Sequence, residues 1–263
     1  MLPKEYDIAG KTVIVTGAAR GIGKGIARVM AEAGARVMVT ALTQRYLEPL
    51  AKEMASAGHP IETITADATK SDDWQRTVDL ALERWEHIDV LINNLGDAIR
   101  KPLVPLPGSD SQGAITDEEW RFVIDVNLTQ AFMGCRAVGP HFLERREGKV
   151  INISGFAGRK GSPELLVYSS AKAGLGRLTQ TLALEWAPYG VTVNSIAPGT
   201  FPDPETSDAA QVAASRQRAK TTVPLGRVGE LREVGLLALY LTSDASAYMT
   251  GETIYLDGGL SHA

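Results

Sequence analysis

The sequence predicts an α/β fold in which helices cover both faces of a doubly wound parallel sheet of about seven strands. Short β-branched runs alternate along the chain with stretches that have the periodicity of amphipathic helices. Several of these runs are almost wholly apolar, as expected for strands with both faces buried. Strand–helix alternation with right-handed crossovers produces a parallel sheet. Because no repeat or low-complexity linker divides the chain, residues 1–263 are expected to form a single domain.

Seven strands and six helices follow from this alternation. The strands are predicted at residues 12–16, 36–40, 61–65, 90–93, 149–154, 192–196 and 253–256. The helices are predicted at residues 21–33, 44–57, 71–84, 117–144, 166–187 and 230–242. Two proline-containing stretches, 97–116 and 198–223, break the rhythm, and the second includes a polar piece that is expected to be helical. Both begin at the carboxyl end of a strand, where such sheets bind ligands, so both should border the functional site.

Composition and charge limit the kinds of partner. The 263 residues carry a formal net charge of −4 with no basic run, which argues against nucleic acid or an anionic membrane. No apolar stretch is long enough to span a bilayer, and the first residues are too polar for a signal peptide. The single cysteine, Cys135, cannot form an internal disulfide, which favours a reducing compartment. We therefore predict a cytoplasmic protein that acts on a small molecule and has no metal site.

A glycine-rich turn, Thr16-Gly17-Ala18-Ala19-Arg20-Gly21-Ile22-Gly23, lies between the first predicted strand and the first predicted helix. The free N–H groups of a first helical turn and the helix dipole together favour a bound anion such as phosphate. The glycines permit the tight turn, a close approach of the pyrophosphate and close packing of helix on strand. An ordinary tight turn is the alternative, but the position after the first strand favours a dinucleotide site.

The end of the second strand bears on which dinucleotide binds. An acidic residue there would bind the ribose 2′-hydroxyl of NAD, but residues 39–43 contain no carboxylate. Arg20, with Thr40, Thr43 or Arg45, is available instead to hold a 2′-phosphate, for which the guanidinium group is well suited. NADP is therefore the predicted cofactor, with NAD as the alternative.

Tyr168 and Lys172 lie four residues apart in a predicted helix, so their side chains share one face. A phenol is a poor acid or base at neutral pH, but a nearby ammonium group stabilises the phenolate and lowers its pKa. The same lysine can also hold ribose hydroxyls. A solvated helix face is the alternative for this pair taken alone.

With these features in order along the chain, the sequence resembles the short-chain dehydrogenase/reductase family over nearly its whole length. Its general pattern is closest to the branch that reduces 3-oxoacyl-carrier-protein thioesters. The matching pieces are residues 16–23, Asp67, Asn93-Asn94-Leu95-Gly96, Asn127, Tyr168-Ser169-Ser170-Ala171-Lys172, Val193-Asn194-Ser195-Ile196-Ala197-Pro198-Gly199 and Asp257-Gly258-Gly259.

The resemblance implies a Rossmann fold and an NAD(P)-linked interconversion of a carbonyl and a secondary alcohol. Tyr168 would be the general acid or base, Lys172 would lower its pKa, and Asn127 would position a water beside the lysine. The cofactor would contact Gly17, Arg20, Gly21, Ile22, Gly23, Thr40, Asp67, Ala68, Asn94, Gly96, Tyr168, Lys172, Pro198 and Gly199. The resemblance also implies a homo-oligomer, a dimer or a tetramer, formed through the two long helices.

The chain departs from the family pattern at the serine that orients the substrate. That serine normally lies thirteen residues before the tyrosine, a position held here by Gly155, with Ser154 one residue earlier. We expect Ser154 to contribute through a local backbone change, since neighbouring strand residues otherwise point to opposite faces. The alternative is that no serine acts, which would leave a cofactor-binding protein with weak or lost catalysis. In addition, Leu95 replaces an alanine, and Asp203 stands where a threonine usually follows the Pro-Gly pair.

Overall fold

Seven parallel strands form one sheet in the order β3-β2-β1-β4-β5-β6-β7 in the computed structural model, which describes residues 3–108 and 113–262. The strands are Thr12–Val15 (β1), Arg36–Ala41 (β2), Glu62–Thr65 (β3), Val90–Asn93 (β4), Gly148–Ile153 (β5), Val191–Pro198 (β6) and Thr253–Leu256 (β7). Every neighbouring pair is parallel. The predicted α/β fold is thus confirmed, and each predicted strand lies within two residues of an observed one.

Eight α-helices connect and cover the strands in the described residues. They are Gly21–Glu32 (α1), Gln44–Ser56 (α2), Ser71–Trp85 (α3), Asp117–Ile124 (α4), Gln130–Arg145 (α5), Leu166–Trp186 (α6), Ala209–Thr222 (α7) and Leu231–Thr242 (α8). The single helix predicted at 117–144 is interrupted by a π-helical turn, Asp125–Thr129. Helix α7 is the polar piece that was expected within 198–223. The centre of the predicted 97–116 loop, residues 109–112, lies outside the described residues.

Two apolar layers bury the faces of the sheet. Alternate residues of β1 point to opposite faces, so Val13 and Val15 pack with α1, α2 and α8. Ile14, between them, packs with α3, α5 and α6 on the other face. This double burial explains why the central strands are apolar without alternation. Across the described ranges, no helix has both the length and the apolarity that crossing a membrane requires.

The strand order reverses between β1 and β4, which places the functional site. The chain runs outward from β1 to β3 in one direction and from β4 to β7 in the other, which leaves a crevice at the carboxyl ends of β1 and β4. Ligands of open α/β sheets bind at such a switch point. Hydrogen bonds join the two strand ends: the Thr16 amide donates to the Ile92 carbonyl at 3.0 Å, and the Asn94 amide donates to the Thr16 hydroxyl at 3.0 Å.

Candidate active site

The glycine-rich turn has the backbone of a phosphate-binding loop. Gly17 and Gly21 both have φ of +58°, in the left-handed region that favours glycine. A Cβ on Gly23 would lie 2.5 Å from the Asn94 side-chain nitrogen and 2.6 Å from the Ala18 Cα, so no larger residue fits there. The turn therefore brings bare backbone to the start of α1, at the edge of the crevice, and this cradle fits a pyrophosphate group.

Asn94 holds this turn against the end of β4. Its Nδ2 donates to the carbonyl oxygens of Thr16 at 2.9 Å and Gly17 at 3.1 Å. Both amide hydrogens are therefore directed at the loop backbone. Asn94 was predicted to contact the cofactor, and the structure shows the loop contacts that fix its position.

The predicted adenine-side residues lie together at the ends of β2 and β3. Thr40, Asp67 and Ala68 line one depression there, which is too small to hold a water molecule. The Asp67 carboxylate accepts hydrogen bonds from the backbone N–H of Thr69 at 2.9 Å and from its hydroxyl at 2.7 Å. The Thr40 carbonyl accepts from the Ala18 amide at 3.1 Å, which ties this depression to the glycine-rich turn.

Tyr168 and Lys172 lie one turn apart on α6, as predicted. The Lys172 ammonium nitrogen is buried, donates to the Ile153 carbonyl at 2.9 Å and lies 5.6 Å from the centre of the Tyr168 ring. Burial lowers the pKa of Lys172 to about 7. Burial, with a smaller effect from the negative charge of Asp97, raises the pKa of Tyr168 to about 12. The phenol is thus a protonated acid at neutral pH, and the expected lowering of its pKa by the lysine is absent here.

Asn127 lies in the π-helical turn between α4 and α5. Its Nδ2 donates to the carbonyl oxygens of Asp97 at 2.6 Å and Val123 at 2.8 Å, while its buried Oδ1 has no partner in the described ranges. A Cβ on Gly96 would lie 2.7 Å from this Oδ1 and 3.1 Å from the Lys172 Nζ. An unpaired acceptor and the Lys172 side-chain nitrogen therefore border one small space, which suits a bridging water. Single π turns are frequent at functional sites.

The structure corrects the expectation for Ser154. Its hydroxyl donates to the Ile196 carbonyl at 3.1 Å and accepts from the Ser195 hydroxyl at 2.8 Å, so it is directed at β6. Gly155 has φ of 172° and ψ of 156°, an extended backbone without the local change that Ser154 would need. A Cβ on Gly155 would lie 3.2 Å from the Tyr168 hydroxyl. The residue that faces the phenol is thus Gly155, which carries no hydroxyl.

Comparison with known proteins agrees with this geometry. A family model described as enoyl-(acyl carrier protein) reductase matches residues 17–261. The chain is 36% identical to a 3β-hydroxysteroid dehydrogenase of Eggerthella lenta, with 97% of this chain and 95% of the relative covered. It is 34% identical to a 3-oxoacyl-[acyl-carrier-protein] reductase of Thermotoga maritima, with 96% and 98% covered. The protein belongs to the short-chain dehydrogenase/reductase family.

A solved member of this family has the same architecture. The gluconate 5-dehydrogenase of Burkholderia cenocepacia, in complex with NADP and tartrate, superposes with a TM-score of 0.88 at 30% identity. The superposition covers 99% of this chain and 98% of that protein. Like its relatives, this short-chain dehydrogenase/reductase is an oxidoreductase, as predicted.

Two features of the short-chain dehydrogenase/reductase site were missed by sequence reasoning. The half-buried Tyr46 ring lies 5.9 Å from the Arg20 guanidinium and 5.0 Å from that of Arg45. The charge of Asp97 acts on Tyr168 although Asp97 is exposed. The only available signal for Tyr46 was an aromatic residue directly after Arg45, four residues beyond Leu42. For Asp97 the signal was its place directly after the Asn-Asn-Leu-Gly motif.

Pro198 is the last residue of β6 and Gly199 follows it, at the carboxyl end of the strand; that they pass the nicotinamide stays a prediction. The Gly199 amide donates to the Leu256 carbonyl at 3.0 Å, which continues the pairing of β6 with β7. A Cβ on Gly199 would lie 2.8 Å from the Asp257 Cα, so the close approach of the two segments needs glycine here.

The bare Gly155 leads to a first prediction, that Gly155→Ser raises kcat about tenfold. The new hydroxyl would lie beside the Tyr168 hydroxyl and add a second donor to the substrate oxygen, and such donors are worth about a hundredfold each when well placed. Gly161→Ser is the matched control, because a Cβ there meets nothing within 4 Å. The measurement is the steady-state kcat and KM of wild type, Gly155→Ser and Gly161→Ser with the same ketone. An unchanged or lower kcat in Gly155→Ser, with KM unaffected, contradicts the prediction.

Proposed function

We propose that this protein interconverts a ketone and a secondary alcohol by hydride transfer, prefers NADPH, and uses Tyr168 as the general acid and base. The observation that supports this best is the convergence of Tyr168, Lys172 and Asn127 just beyond the carboxyl ends of β4 and β5. The three come from α6 and the π-helical turn, and they meet next to Gly96 and Gly155. The assignment of their roles is our proposal.

In this proposal the protein supplies a proton and the cofactor supplies a hydride. The glycine-rich turn, Asn94 and the residues around Thr40 would hold the dinucleotide, which would supply the hydride that reduces the carbonyl carbon. Tyr168, protonated at neutral pH, gives its phenolic proton to the carbonyl oxygen, so the product is a neutral alcohol. Lys172 and a water held by the Asn127 Oδ1 then return a proton to the phenolate. In the reverse direction the same groups accept the alcohol proton.

The second candidate is a protein of this fold that binds the cofactor with little or no turnover. The hydroxyl-free Gly155 beside Tyr168 favours it. A panel of cyclic ketones, sugar-derived ketones and 3-oxoacyl thioesters, followed by the absorbance of the reduced nicotinamide, separates the two. Turnover on any member that requires Tyr168 supports the enzyme, and tight NADPH binding without turnover on the whole panel supports the second candidate.

The NADP preference rests on the cluster of Arg20, Arg45 and Tyr46, next to Thr40. The two guanidinium groups lie at the same aromatic ring, and within the described ranges neither forms an ion pair with a carboxylate. Two guanidinium groups beside one ring, neither paired with a carboxylate, favour an anionic ligand group, and a 2′-phosphate has the chemistry for this position. The gluconate 5-dehydrogenase named above was solved with NADP, which is consistent.

We expect Arg20→Ala to lower the ratio of kcat/KM for NADPH to that for NADH by about tenfold to a hundredfold. The reason is that hydrogen bonds from a charged donor to a phosphate are each worth about 1.5–3 kcal/mol. Most of the change should appear in the KM for NADPH. Arg36→Ala is the control, since Arg36 is an exposed residue at the opposite end of β2. If the ratio of kcat/KM for NADPH to that for NADH is unchanged in Arg20→Ala, Arg20 does not bind the 2′-phosphate.

The substrate class follows from the apolar loop beside the site and from the relatives. Leu103, Val104 and Leu106 expose 62%, 59% and 52% of their surface on the loop after β4, which favours an apolar wall over the substrate. The relatives named above act, by their names, on a hydroxysteroid and on a 3-oxoacyl thioester. We propose an apolar ketone or secondary alcohol, with a 3-oxoacyl thioester as one member of that class.

We further propose a homo-oligomer, a dimer or a tetramer, in the cytoplasm. Helices α4, α5 and α6 expose Phe122, Phe132 and Leu184, the last at 79%, and exposed aromatic and aliphatic side chains are common at protein interfaces. By contrast, Cys135 and Leu175 of the same helices are buried inside the chain and serve its own packing.

A further inference from the structure

The segment between β6 and α7 crosses the start of helix α1. We name residues 200–208 the acidic strap, because it contains Asp203, Glu205 and Asp208. The Asp203 Oδ2 accepts a hydrogen bond from the Gly21 amide at 2.9 Å, over a separation of 182 residues in the chain. Gly21 is the first residue of α1, and its amide is one of the free donors of the first helical turn. A carboxylate of the protein itself thus occupies a donor of the glycine-rich turn.

Asp203 is held as a charged, fixed group. It is 8% exposed, and its Oδ2 accepts from the Thr206 hydroxyl at 2.7 Å while its Oδ1 accepts from the Glu205 amide at 3.0 Å. Burial raises the pKa of Asp203, but the hydrogen bonds from Thr206, Glu205 and Gly21 and the charge of Lys24 outweigh this, so the net pKa is lowered. The carboxylate is therefore ionised at neutral pH.

A second contact ties the acidic strap to α1. The Glu205 carboxylate forms ion pairs with Lys24 and, at 3.2 Å, with Arg28. The same two cations also pair with Glu53 of α2, at 3.1 Å for Lys24. The strap is thus fastened to the helix whose N-terminus faces the cofactor pyrophosphate in the proposed function.

We propose that Asp203 lowers the affinity for the dinucleotide by competing with its pyrophosphate for the Gly21 amide. The inference rests on the proposed cofactor site. Two anions cannot share one amide donor, and like charges brought together in a partly buried site repel strongly. Cofactor binding therefore requires the Asp203 carboxylate to leave this donor, and the strap sets how readily the dinucleotide enters and leaves. The family's usual threonine at this position would carry no such charge.

Asp203→Asn tests this directly in the full-length protein. Asparagine keeps the shape and an oxygen that accepts from Gly21, but it removes the negative charge. NADPH dissociation constants, measured by the fluorescence of the bound reduced nicotinamide, are expected to fall about tenfold, which corresponds to about 1.4 kcal/mol. Asp208→Asn is the matched control, since Asp208 lies in the same strap but its carboxylate accepts from the Ala210 amide at the start of α7 and not from the glycine-rich turn.

A second ligand locates the effect. Adenosine 2′-monophosphate carries the 2′-phosphate that Arg20 and Arg45 would bind, but it has no pyrophosphate. Its dissociation constant should therefore be equal in wild type, Asp203→Asn and Asp208→Asn. Unchanged or weaker NADPH binding in Asp203→Asn overturns the inference, and equal tightening for both ligands overturns the pyrophosphate assignment. If the wild type fails to bind NADPH at all, the proposed function fails instead, and the two failures are thereby distinguished.

Discussion

Tyr168→Phe is expected to lower kcat by about a thousandfold while leaving the dissociation constant of NADPH within about twofold. Proton transfer by a positioned side chain contributes about a hundredfold to ten-thousandfold. Neither neighbouring residue on the strand side can take over, because Gly155, which faces the phenol, has no hydroxyl and the Ser154 hydroxyl is directed at β6. Phenylalanine keeps the ring and its packing, so the loss should be confined to chemistry.

Single-turnover rates with a saturating ketone, together with fluorescence titration of NADPH, measure the two quantities separately. Tyr189→Phe is the control. Tyr189 is 43% exposed and lies just before β6, at the amino-terminal end of the strand, whereas the site lies at the carboxyl ends. If Tyr168→Phe retains more than about a tenth of the wild-type kcat, another group is the proton donor. A loss of NADPH affinity equal to the loss of rate would instead indicate a structural role.

The fold could be predicted from local patterns because strand and helix signals were both strong. The strands around Ile14 and Leu91 are continuous apolar runs, and buried parallel strands have this pattern. The pair Tyr168 and Lys172 was visible because helical spacing alone places it on one face. Gly17 and Gly21 were visible because a strand, a turn and a helix follow each other directly in the sequence.

Features that depend on contacts between distant residues could not be predicted. The π-helical turn that carries Asn127 lies inside a continuous helical pattern, and no residue type marks it. The contact between Asp203 and the Gly21 amide joins residues 182 positions apart. The prediction that Ser154 contributes to the site was wrong. Alternation along the strand already indicated that Ser154 faces away from Tyr168, and the backbone at Gly155 is extended, so the alternation continues there.

Lys172→Met is expected to lower kcat by about a hundredfold and yet to stabilise the protein near neutral pH. The Lys172 side chain supplies the nitrogen that accepts and gives a proton in the proposed proton return, and methionine has no such group. Burial nonetheless lowers the pKa of Lys172 from 10.5 to about 7, so folding opposes its protonated form. At about pH 7 the lowered pKa of Lys172 reduces the free energy of unfolding by about 4 kcal/mol, since one pKa unit corresponds to about 1.4 kcal/mol. The lost hydrogen bond to the Ile153 carbonyl offsets about 1–3 kcal/mol of the gain.

The stability difference between Lys172→Met and wild type is expected to depend on pH. Between about pH 7 and about pH 10.5 the unfolded lysine binds a proton that the folded lysine does not, so the contribution of Lys172 to the free energy of unfolding rises with pH. Lys172→Met lacks this contribution. Its stability advantage over wild type should therefore be largest at and below about pH 7 and shrink steadily toward pH 10.5. Urea unfolding at several pH values measures the difference. An advantage that is constant with pH, or a variant less stable than wild type at neutral pH, would show that Lys172 is charged in the folded protein.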